Sequence, residues 1–522
     1  MKKTSLMLFV FVFLLAACDR IPIPAFQSPT ATPVSTLTPV PTPTLPPVEG
    51  PVPSYLVGAF YYPWYGNPEH EYKWIHWDEG HKNPPLNIAS DYYPVLGAYS
   101  SADRAVVAQH FAWMRQAGVG VVITSWWGPG SNTDKIVPLL LEMGERYALK
   151  IAFHIEPYGG RNADRLVSDV EYIYRQYGSH PAFFRANTGS LWGGADKNQG
   201  LFLVWAARYE DDNSAPVEPA YWTAAMDDIH ALPDGGLIIA DENGAEWVIE
   251  GHFDGSFKYG VLDSDMAEPY TFAKGLPPGA WFIPGINPGS TRSHIMGYED
   301  FTFNPRHDGA TYAKRWQAMF DTGVEPQMVV ITTFNEWHEG TQIEPARVGG
   351  DNGSGYNYRD YESLPPDGYL ALTRQWVDTF LSYDWPEVYP LRFRLLTTSD
   401  WTSYRLVEGG NWQLPSIVSA SLEATYAGQE GERLALTQPL DRAEAGGSVE
   451  MEIDALLYPA EGAETLIFEI SRGGLGYTQL EIFDLSQGEQ VLLDTFVWAG
   501  WAGNEDNSNQ YMLPVSSLPI LE

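Results

Sequence analysis

Two glutamates, Glu336 and Glu339, are the residues of this chain best suited to chemistry. They stand in the segment TFNEWHEGTQIEP at 333–345, directly after a β-branched run. Cleaving a glycosidic bond requires one carboxyl group that protonates the leaving oxygen and a second that supports the charge developing on the sugar carbon. A Glu-x-x-Glu pair more often marks a solvated helix face, but the preceding strand pattern and the following Gly340 favour a pair of catalytic acids.

The elements that position this pair follow an alternating pattern of strands and helices. Between residues 55 and 390, short apolar or β-branched runs alternate with longer helical patterns, such as those at 103–116 and 164–177. The predicted strands are residues 57–62, 120–125, 150–155, 201–205, 236–240, 253–259, 281–286 and 328–334. Eight such units predict an α/β fold, a (β/α)8 TIM barrel, for the domain at 53–390. Active sites of these barrels lie where the strands end, and polar or aromatic residues follow several of the predicted strands.

The remainder of the chain, residues 391–522, has a different pattern. Short alternating runs at 449–456, 464–470 and 478–483 are separated by Gly, Asn and Asp, which predicts an all-β, sandwich-like accessory domain. Its tryptophans could bind carbohydrate or pack against the barrel, and the sequence leaves both roles open. They are Trp401, Trp412, Trp498 and Trp501.

The N-terminus resembles a bacterial lipoprotein signal. Two lysines, an apolar stretch at 6–15 and the tetrapeptide LAAC at 15–18 place Cys18, the single cysteine, at the lipidation position. We therefore expect a signal peptide at 1–18, with an ordinary signal peptide or an anchor helix as alternatives. Residues 19–52 are rich in Pro and Thr and predict a linker. The expected location is the bacterial cell envelope, on the outer side of the cytoplasmic membrane or at the outer membrane, attached only by the lipid.

Composition narrows the classes of partner. Lys and Arg number 31 against 66 Asp and Glu, and the net charge of −35 disfavours nucleic acid. Aromatic residues make up 14% of the chain and suit sugar stacking as well as core packing. One cysteine excludes an intramolecular disulfide and a Cys-based metal site. The spacing of His76, Asp78, Glu79 and His81 matches no helical zinc motif. We expect no metal or cofactor, a sugar polymer as partner, and a monomer.

Seven motifs in consistent order carry a specific resemblance, which extends over about residues 55–389. The chain resembles glycoside hydrolase family 99, the endo-α-1,2-mannosidases and endo-α-1,2-mannanases. The resemblance implies a retaining, endo-acting hydrolase of α-1,2-mannosidic linkages in mannans or mannose-rich glycans, without metal or cofactor. The motifs are FYYPWYGNP (60–68), IHW (75–77), SWW (125–127), HIEPY (154–158), YGSHPAFFR (177–185), FDG (253–255) and TFNEWHEGTQIEP (333–345).

The resemblance also implies roles for the two glutamates. Glu336 acts as base on the 2-hydroxyl of the substrate, which closes onto the anomeric carbon as a 1,2-anhydro sugar. Glu339 protonates the leaving group and then activates water. The stereochemistry agrees, because O1 and O2 of an α-mannoside lie on opposite faces and the internal hydroxyl has a high effective concentration. Glu339 must hold a proton at working pH, so we expect a raised pKa for it.

Further residues are assigned to substrate binding by their places in these motifs. His154 and Glu156 are expected to bind hydroxyls, with a conventional nucleophile as the alternative for Glu156. Trp127, by resemblance, favours mannose over glucose on the non-reducing side of the cut. The others are expected in or near the pocket, with packing as their alternative role. The full set is Tyr62, Trp64, His76, Trp77, Trp127, His154, Glu156, Tyr259, Asn335 and His338.

Two positions depart from the family pattern, and two other functions stay open. The loop NPGSTR at 287–292 lacks the usual Pro-Gly-Tyr run with its acidic residue, and Phe257 stands where a Tyr is common. The departures bear on which sugars the subsites prefer more than on the reaction type, because both glutamates are present. The alternatives are a carbohydrate-binding lipoprotein without catalysis, or a related hydrolase that acts on a different polysaccharide.

Overall fold

The computed structural model describes residues 45–522, with gaps at 189–190, 193–196, 261–269, 277–278, 299, 386–388, 398–400, 408–415, 423–435, 440–448, 458–464, 486–489, 503–507 and 515–522. Leu45–Glu522 forms one compact unit. Cys18, the predicted signal peptide and most of the predicted linker lie outside the described residues. No helix within the described part of the chain is long and apolar enough to cross a bilayer.

The predicted barrel is confirmed. Its strands form a closed, parallel sheet in sequence order, and the barrel closes where Val57 of the first strand pairs with Val329 of the last. The strands are β1 Val57–Tyr61, β2 Val121–Trp126, β3 Lys150–Ile155, β4 Leu201–Val204, β5 Leu237–Asp241, β6 Gly255–Lys258, β7 Trp281–Ile286 and β8 Val329–Ile331.

Helices cover the outside of the barrel. Both helical patterns predicted from the sequence are present, and each begins with a side-chain cap: Asp103 accepts from the amide of Ala105, and Asn162 accepts from that of Arg165. The helices are α1 Pro68–Glu71, α2 Arg104–Gln116, α3 Asn132–Tyr147, α4 Ala163–Tyr177, α5 Ala220–Ala231, α6 Ala245–Glu250, α7 Ser293–Met296, α8 Ala310–Phe320 and α9 Gly368–Leu381. Single 3-10 turns occur at Glu79–His81, Thr271–Gly275 and His307–Gly309.

The strands are apolar on both faces because one face lines the barrel interior and the other meets the helices. Val121, Val122 and Ile123 of β2 are each fully buried. Strand β8 is shorter than predicted. The regular strand ends at Ile331 because the Thr333 amide donates to its own turn, at the Thr341 carbonyl (3.0 Å), although the Thr332 and Phe334 amides still donate to the carbonyls of Ile286 and Phe60. The site therefore begins earlier along the last strand than the run of β-branched residues indicates.

In the described residues from 389 onward every element is a β-strand, as the predicted all-β domain requires, and the strands pair antiparallel. One 20-residue strand, β14 (Thr465–Asp484), has different partners along its two halves. Its first half pairs with β10 (Trp401–Val407) and β16 (Ser508–Pro514), and its second half pairs with β9 (Tyr389–Thr397) and β15 (Val491–Ala502). The separate strands predicted at 464–470 and 478–483 are therefore wrong as two elements, because both belong to β14. The strands are β9 Tyr389–Thr397, β10 Trp401–Val407, β11 Ser416–Leu422, β12 Leu436–Pro439, β13 Val449–Leu457, β14 Thr465–Asp484, β15 Val491–Ala502 and β16 Ser508–Pro514. Trp412 lies outside the described residues.

Short two-stranded sheets occur in the barrel loops. One of them joins Ser290–Thr291 to Thr302–Asn304 in the segment after β7 and fixes the backbone just before α7. The others join Ala186–Thr188 to Lys197–Gln199 and Gly350–Asp351 to Asn357–Tyr358.

Candidate active site

Glu336 and Glu339 form part of the wall of a cavity of about 380 Å³. Most residues that line it stand just after the C-terminal ends of barrel strands, so the parallel sheet gathers side chains from distant parts of the sequence. The lining residues are Tyr62, Trp64, Glu79, Trp127, Glu156, Trp205, Asp212, Tyr259, Arg292, Ile295, Met296, Glu336, His338 and Glu339.

Asn335 fixes the start of the segment at 335–344 that follows β8, which is named the catalytic turn. Its side-chain oxygen accepts from the amide of Tyr62 at 2.7 Å, and its side-chain nitrogen donates to the Tyr62 carbonyl at 3.0 Å. This paired bond joins the turn after β8 to the end of β1. Thr333 adds a second constraint, since its hydroxyl accepts from the Glu336 amide at 2.9 Å. The backbone of the first glutamate is therefore held before any substrate arrives.

Glu336 is buried with an incomplete set of hydrogen bonds. Its Oε1 accepts from the His338 amide at 2.9 Å, while its buried Oε2 has no hydrogen-bond partner among the described residues. Burial raises the pKa of Glu336 well above its usual range, and the nearby charge of Glu339 raises it further. The carboxyl group is thus oriented by the turn and has one oxygen still available to a ligand.

Glu339 has a partner on each oxygen. Oε2 accepts from the Tyr259 hydroxyl at 3.1 Å, and Oε1 accepts from the guanidinium of Arg292. Burial raises the pKa of Glu339, in the direction expected from the sequence, while the Arg292 charge and then the Tyr259 hydroxyl lower it. The two acids therefore differ in environment, because only Glu339 has a cationic partner in direct contact.

Aromatic rings form another wall of the cavity. Trp64 stacks on His76 with ring centres 4.6 Å apart and lies 4.7 Å from the Tyr62 ring, while Trp127 stands 6.4 Å from Trp64. The hydroxyl of Tyr62 shares a 2.7 Å hydrogen bond with the hydroxyl of Tyr259. Flat rings beside carboxylates suit a ligand with apolar C–H faces and hydroxyl groups, such as a sugar.

A serine links Trp127 to Glu156. The Trp127 indole donates to the Ser125 hydroxyl at 3.1 Å, and that hydroxyl donates to Glu156 Oε1 at 2.7 Å. The same carboxylate oxygen lies 3.3 Å from His154 Nδ1. Glu156 is thus positioned from two sides where it faces the cavity.

One group of three donors in the described chain has the spacing of a metal site. Nitrogen and oxygen atoms of His76, Glu79 and His338 lie within 4.8 Å of one another. Within this group, His76 Nδ1 is 2.5 Å from Glu79, and His338 donates through Nε2 to the His76 carbonyl at 2.8 Å. Burial lowers the pKa of His338 to about 4, so its ring is neutral near pH 7.

Comparison with known proteins assigns the family. The model of glycosyl hydrolase family 99 matches residues 52–382. The chain belongs to this family. Glycoprotein endo-alpha-1,2-mannosidase from Mus musculus is 32% identical over 368 residues, which cover 63% of this chain and 75% of the relative. Glycoprotein endo-alpha-1,2-mannosidase-like protein from Homo sapiens is 31% identical over 366 residues, which cover 62% of this chain and 75% of that relative.

A solved structure supports the same assignment. The GH99 endo-alpha-mannosidase from Bacteroides thetaiotaomicron is 30% identical with a TM-score of 0.53, over 63% of this chain and 98% of the solved chain. This family 99 member is therefore a glycoside hydrolase. The family match ends at residue 382, before β9 begins.

Several predicted substrate-binding residues of this hydrolase do not line the cavity. Trp77 is fully buried, stacks on Tyr65 with ring centres 4.1 Å apart and donates to the Tyr99 carbonyl at 2.7 Å. Its predicted binding role stays a prediction, and these contacts are those of its alternative role, packing beneath the aromatic wall. His154 and Asn335 are also fully buried and support Glu156 and the catalytic turn, respectively.

The other predicted residues divide by their contacts. His76 lies behind the lining and stacks on Trp64. The predicted residues that line the cavity, besides Glu336 and Glu339, are Tyr62, Trp64, Trp127, Glu156, Tyr259 and His338.

The family 99 cavity also contains residues that the sequence analysis did not assign to substrate binding. Trp205 directly follows β4, so the rule that strand ends carry the site could have found it. Arg292, Ile295 and Met296 come from the segment after β7, where the chain departs from the family pattern. No motif marks these positions. Glu79 and Asp212 complete the set and stand in loops.

Proposed function

We propose that this family 99 hydrolase is a retaining, endo-acting enzyme that cleaves α-1,2-mannosidic linkages in mannans or mannose-rich glycans. The linkage comes from the similar mouse and human proteins, whose names describe endo-alpha-1,2-mannosidases. The observation that carries the mechanism is the buried, unpartnered Oε2 of Glu336 beside the cavity.

The free oxygen of Glu336 is suited to accept a proton from a sugar hydroxyl. A buried carboxylate oxygen without a donor is costly, and a ligand hydroxyl would remove that cost. In an α-mannoside, O2 can approach C1 from the face opposite the departing oxygen. In the proposed first step, the O2–C1 bond forms while C1 loses the leaving oxygen. Glu336 takes the proton from O2, and a 1,2-anhydro sugar results.

Glu339 is proposed as the acid of the first step and the base of the second. It gives its proton to the leaving oxygen as the glycosidic bond breaks. It then takes a proton from the water that attacks C1, while the C1–O2 bond opens and O2 recovers its proton from Glu336. Each step inverts C1, so the product keeps the α configuration. Tyr259 supports this role because its hydroxyl orients the Glu339 carboxyl group.

Substrate preference and cellular location are further parts of the proposal. We propose that Trp127, which lines the cavity, favours mannose over glucose on the non-reducing side of the cut. Attachment of lipid to Cys18 and residence in the cell envelope rest on the sequence alone. Metabolic labelling with palmitate, compared between wild type and Cys18→Ala, would check the attachment.

The experiment is product analysis on defined substrates. An α-1,6-mannan with α-1,2 branches and a glucosylated mannose oligosaccharide are incubated with the wild type and with Glu339→Gln. We expect the wild type to release oligosaccharides from the mannan in preference to the glucosylated substrate. NMR should detect the α-anomer first. The Glu339→Gln variant should lose most of this activity.

A 2-deoxy-mannoside distinguishes the two possible nucleophiles. The proposed reaction needs O2, so this substrate should resist cleavage, whereas a conventional nucleophilic Glu156 would still cleave it. First appearance of the β-anomer, rapid cleavage of the 2-deoxy substrate, or full activity in Glu339→Gln would each contradict the mechanism. Binding of mannan without any product would support the carbohydrate-binding alternative.

A further inference from the structure

Arg292 contacts the proposed acid directly. It stands between the short strand Ser290–Thr291 and α7, and its guanidinium donates to Glu339 Oε1 and lines the cavity. A general acid must carry a proton when the glycosidic bond breaks. A guanidinium in contact favours the charged carboxylate instead. This contact therefore opposes the protonation of Glu339 that the first step needs.

The arrangement of donors around the two glutamates agrees with this reading. Both oxygens of Glu339 accept hydrogen bonds, from Arg292 and from Tyr259, whereas Glu336 has one oxygen without a partner. When two neighbouring buried acids share a proton, it resides on the acid with fewer donors. The contacts therefore favour the charge on Glu339 over a charge on Glu336 in the empty enzyme, which is the reverse of the arrangement that the proposed reaction needs.

We propose that Arg292 is a positioning residue that keeps Glu339 charged in the empty site and leaves it when substrate binds. The inference rests on the proposed roles of Glu336 and Glu339. Once the guanidinium moves away, Glu339 takes up a proton from water while Glu336 releases one, so the pair keeps the same number of protons. After the leaving group has departed, return of Arg292 stabilises the Glu339 carboxylate that activates water in the second step.

The contacts of Arg292 permit this movement. Its backbone is anchored, because its amide donates to the Phe301 carbonyl at 2.9 Å. Its side chain is 33% exposed, and its Nε has no hydrogen-bond partner in the part of the chain that the structure describes. A sugar in the cavity can therefore displace the guanidinium without unfolding the loop.

Other groups around Glu339 do not replace this cation. Glu336 and Glu156 are acidic neighbours. Burial raises the pKa of Tyr259 well above its usual range, so it remains a neutral phenol, and the neighbouring His338 is neutral near pH 7. Arg292 is thus the cation in direct contact with Glu339 among the described residues.

The test is the pH dependence of kcat/KM on an α-1,2-mannoside for the wild type, Arg292→Gln, Arg292→Lys and Arg359→Gln. The Arg292 charge lowers the pKa values of both glutamates, so Arg292→Gln should move both limbs of the profile to higher pH. Arg292→Lys keeps a cation and should leave the limbs near the wild-type positions. Arg359→Gln removes the same charge from a side chain that contacts Asp300 instead, and should also leave them there.

Two results would overturn the inference. If Arg292→Gln raises KM equally at every pH with unmoved limbs, Arg292 only binds the sugar. If Arg359→Gln moves the limbs as far as Arg292→Gln does, the effect reflects overall charge. Infrared titration of the carboxyl bands in the free enzyme provides a readout without substrate, with Glu339→Gln identifying the band. Wild type inactive on all α-mannosides would refute the proposed function, whereas an unmoved Glu339 band in Arg292→Gln would refute this inference separately.

Discussion

Two buried glutamates of the catalytic turn face opposite environments. Glu344 is fully buried on the side away from the cavity, where it accepts from His110 Nε2 at 3.1 Å, the Tyr99 hydroxyl at 2.8 Å and the Trp337 indole at 3.0 Å. Glu336, also buried, lines the cavity; its Oε1 accepts from the His338 amide, and its Oε2 has no hydrogen-bond partner among the described residues. The same side chain in the same segment is therefore satisfied by the protein in one case and left incomplete in the other.

The difference separates a structural carboxylate from a functional one. A folded protein normally supplies partners for each buried polar atom, and an exception needs an explanation. The network around Glu344 holds Trp337, which stands between the two cavity acids, and Trp337 also donates to the Tyr99 hydroxyl at 3.1 Å. A rigid turn on one side thus presents an unsatisfied acid on the other. The change of Glu to Gln, which keeps the shape and removes the charge, tests this difference at both positions.

The largest expected effect is on catalysis at Glu336. Glu336→Gln removes the proposed base, and we expect kcat/KM on an α-1,2-mannoside to fall about 10³-fold, or roughly 4 kcal/mol. The fold should be unaffected because the Gln oxygen can still accept from the His338 amide. Circular dichroism checks folding beside the kinetics. Activity within about tenfold of wild type would remove Glu336 from the mechanism.

The next effect is on stability at Glu344. Glu344→Gln leaves charge-assisted donors facing an amide that can satisfy fewer of them. We expect a loss of about 3 kcal/mol in the free energy of unfolding. Thermal unfolding monitored by tryptophan fluorescence gives the measurement.

Glu142→Gln is the matched control for this loss, because Glu142 makes an exposed ion pair with Arg104 and should cost about 1 kcal/mol or less. Equal losses at the two positions would mean that the buried network does not stabilise the turn.

The sequence predicted the barrel well for a physical reason. Strands such as β2 are buried on both faces, so they read as unbroken apolar runs, and capped helices such as α2 carry their own start signals. The prediction was less accurate where the sequence pattern indicates a turn but the backbone continues as a paired strand. β14 continues through Gly473 and Gly474, although glycines usually indicate a turn.

The motifs predicted which loops carry the site, but they did not predict which residues of those loops line the cavity. Trp77 and Trp64 stand in neighbouring motifs, yet one is buried beneath the wall and the other lines the cavity. Sequence places a residue in a loop but does not state the direction of its side chain. The Arg292–Glu339 contact joins the segment after β7 to the turn after β8. Spacing along the chain carries no information about such a contact.

Per pH unit, the smallest expected effect is the pH dependence of stability at Glu336. Burial raises the pKa of this carboxyl group in the folded state above its value of about 4.3 in the unfolded chain. Between these two pKa values the folded protein binds more protons, so wild-type stability falls as pH rises. Glu336→Gln cannot ionise and escapes this loss. The variant should therefore gain on wild type by about 1.4 kcal/mol for each pH unit above 4.3, until the folded pKa is reached.

Melting temperatures of both proteins at pH 4, 5, 6 and 7 measure this trend, and the slope of the difference matters more than its offset. Glu142→Gln again provides the control, now with the opposite sign. Arg104 lowers the pKa of Glu142, so wild type should gain on that variant as pH rises through the acid range. A flat difference for Glu336→Gln would mean that its carboxyl group ionises in the folded site as easily as in water. The unpartnered oxygen would then not be the energetic deficit that a substrate hydroxyl is proposed to fill.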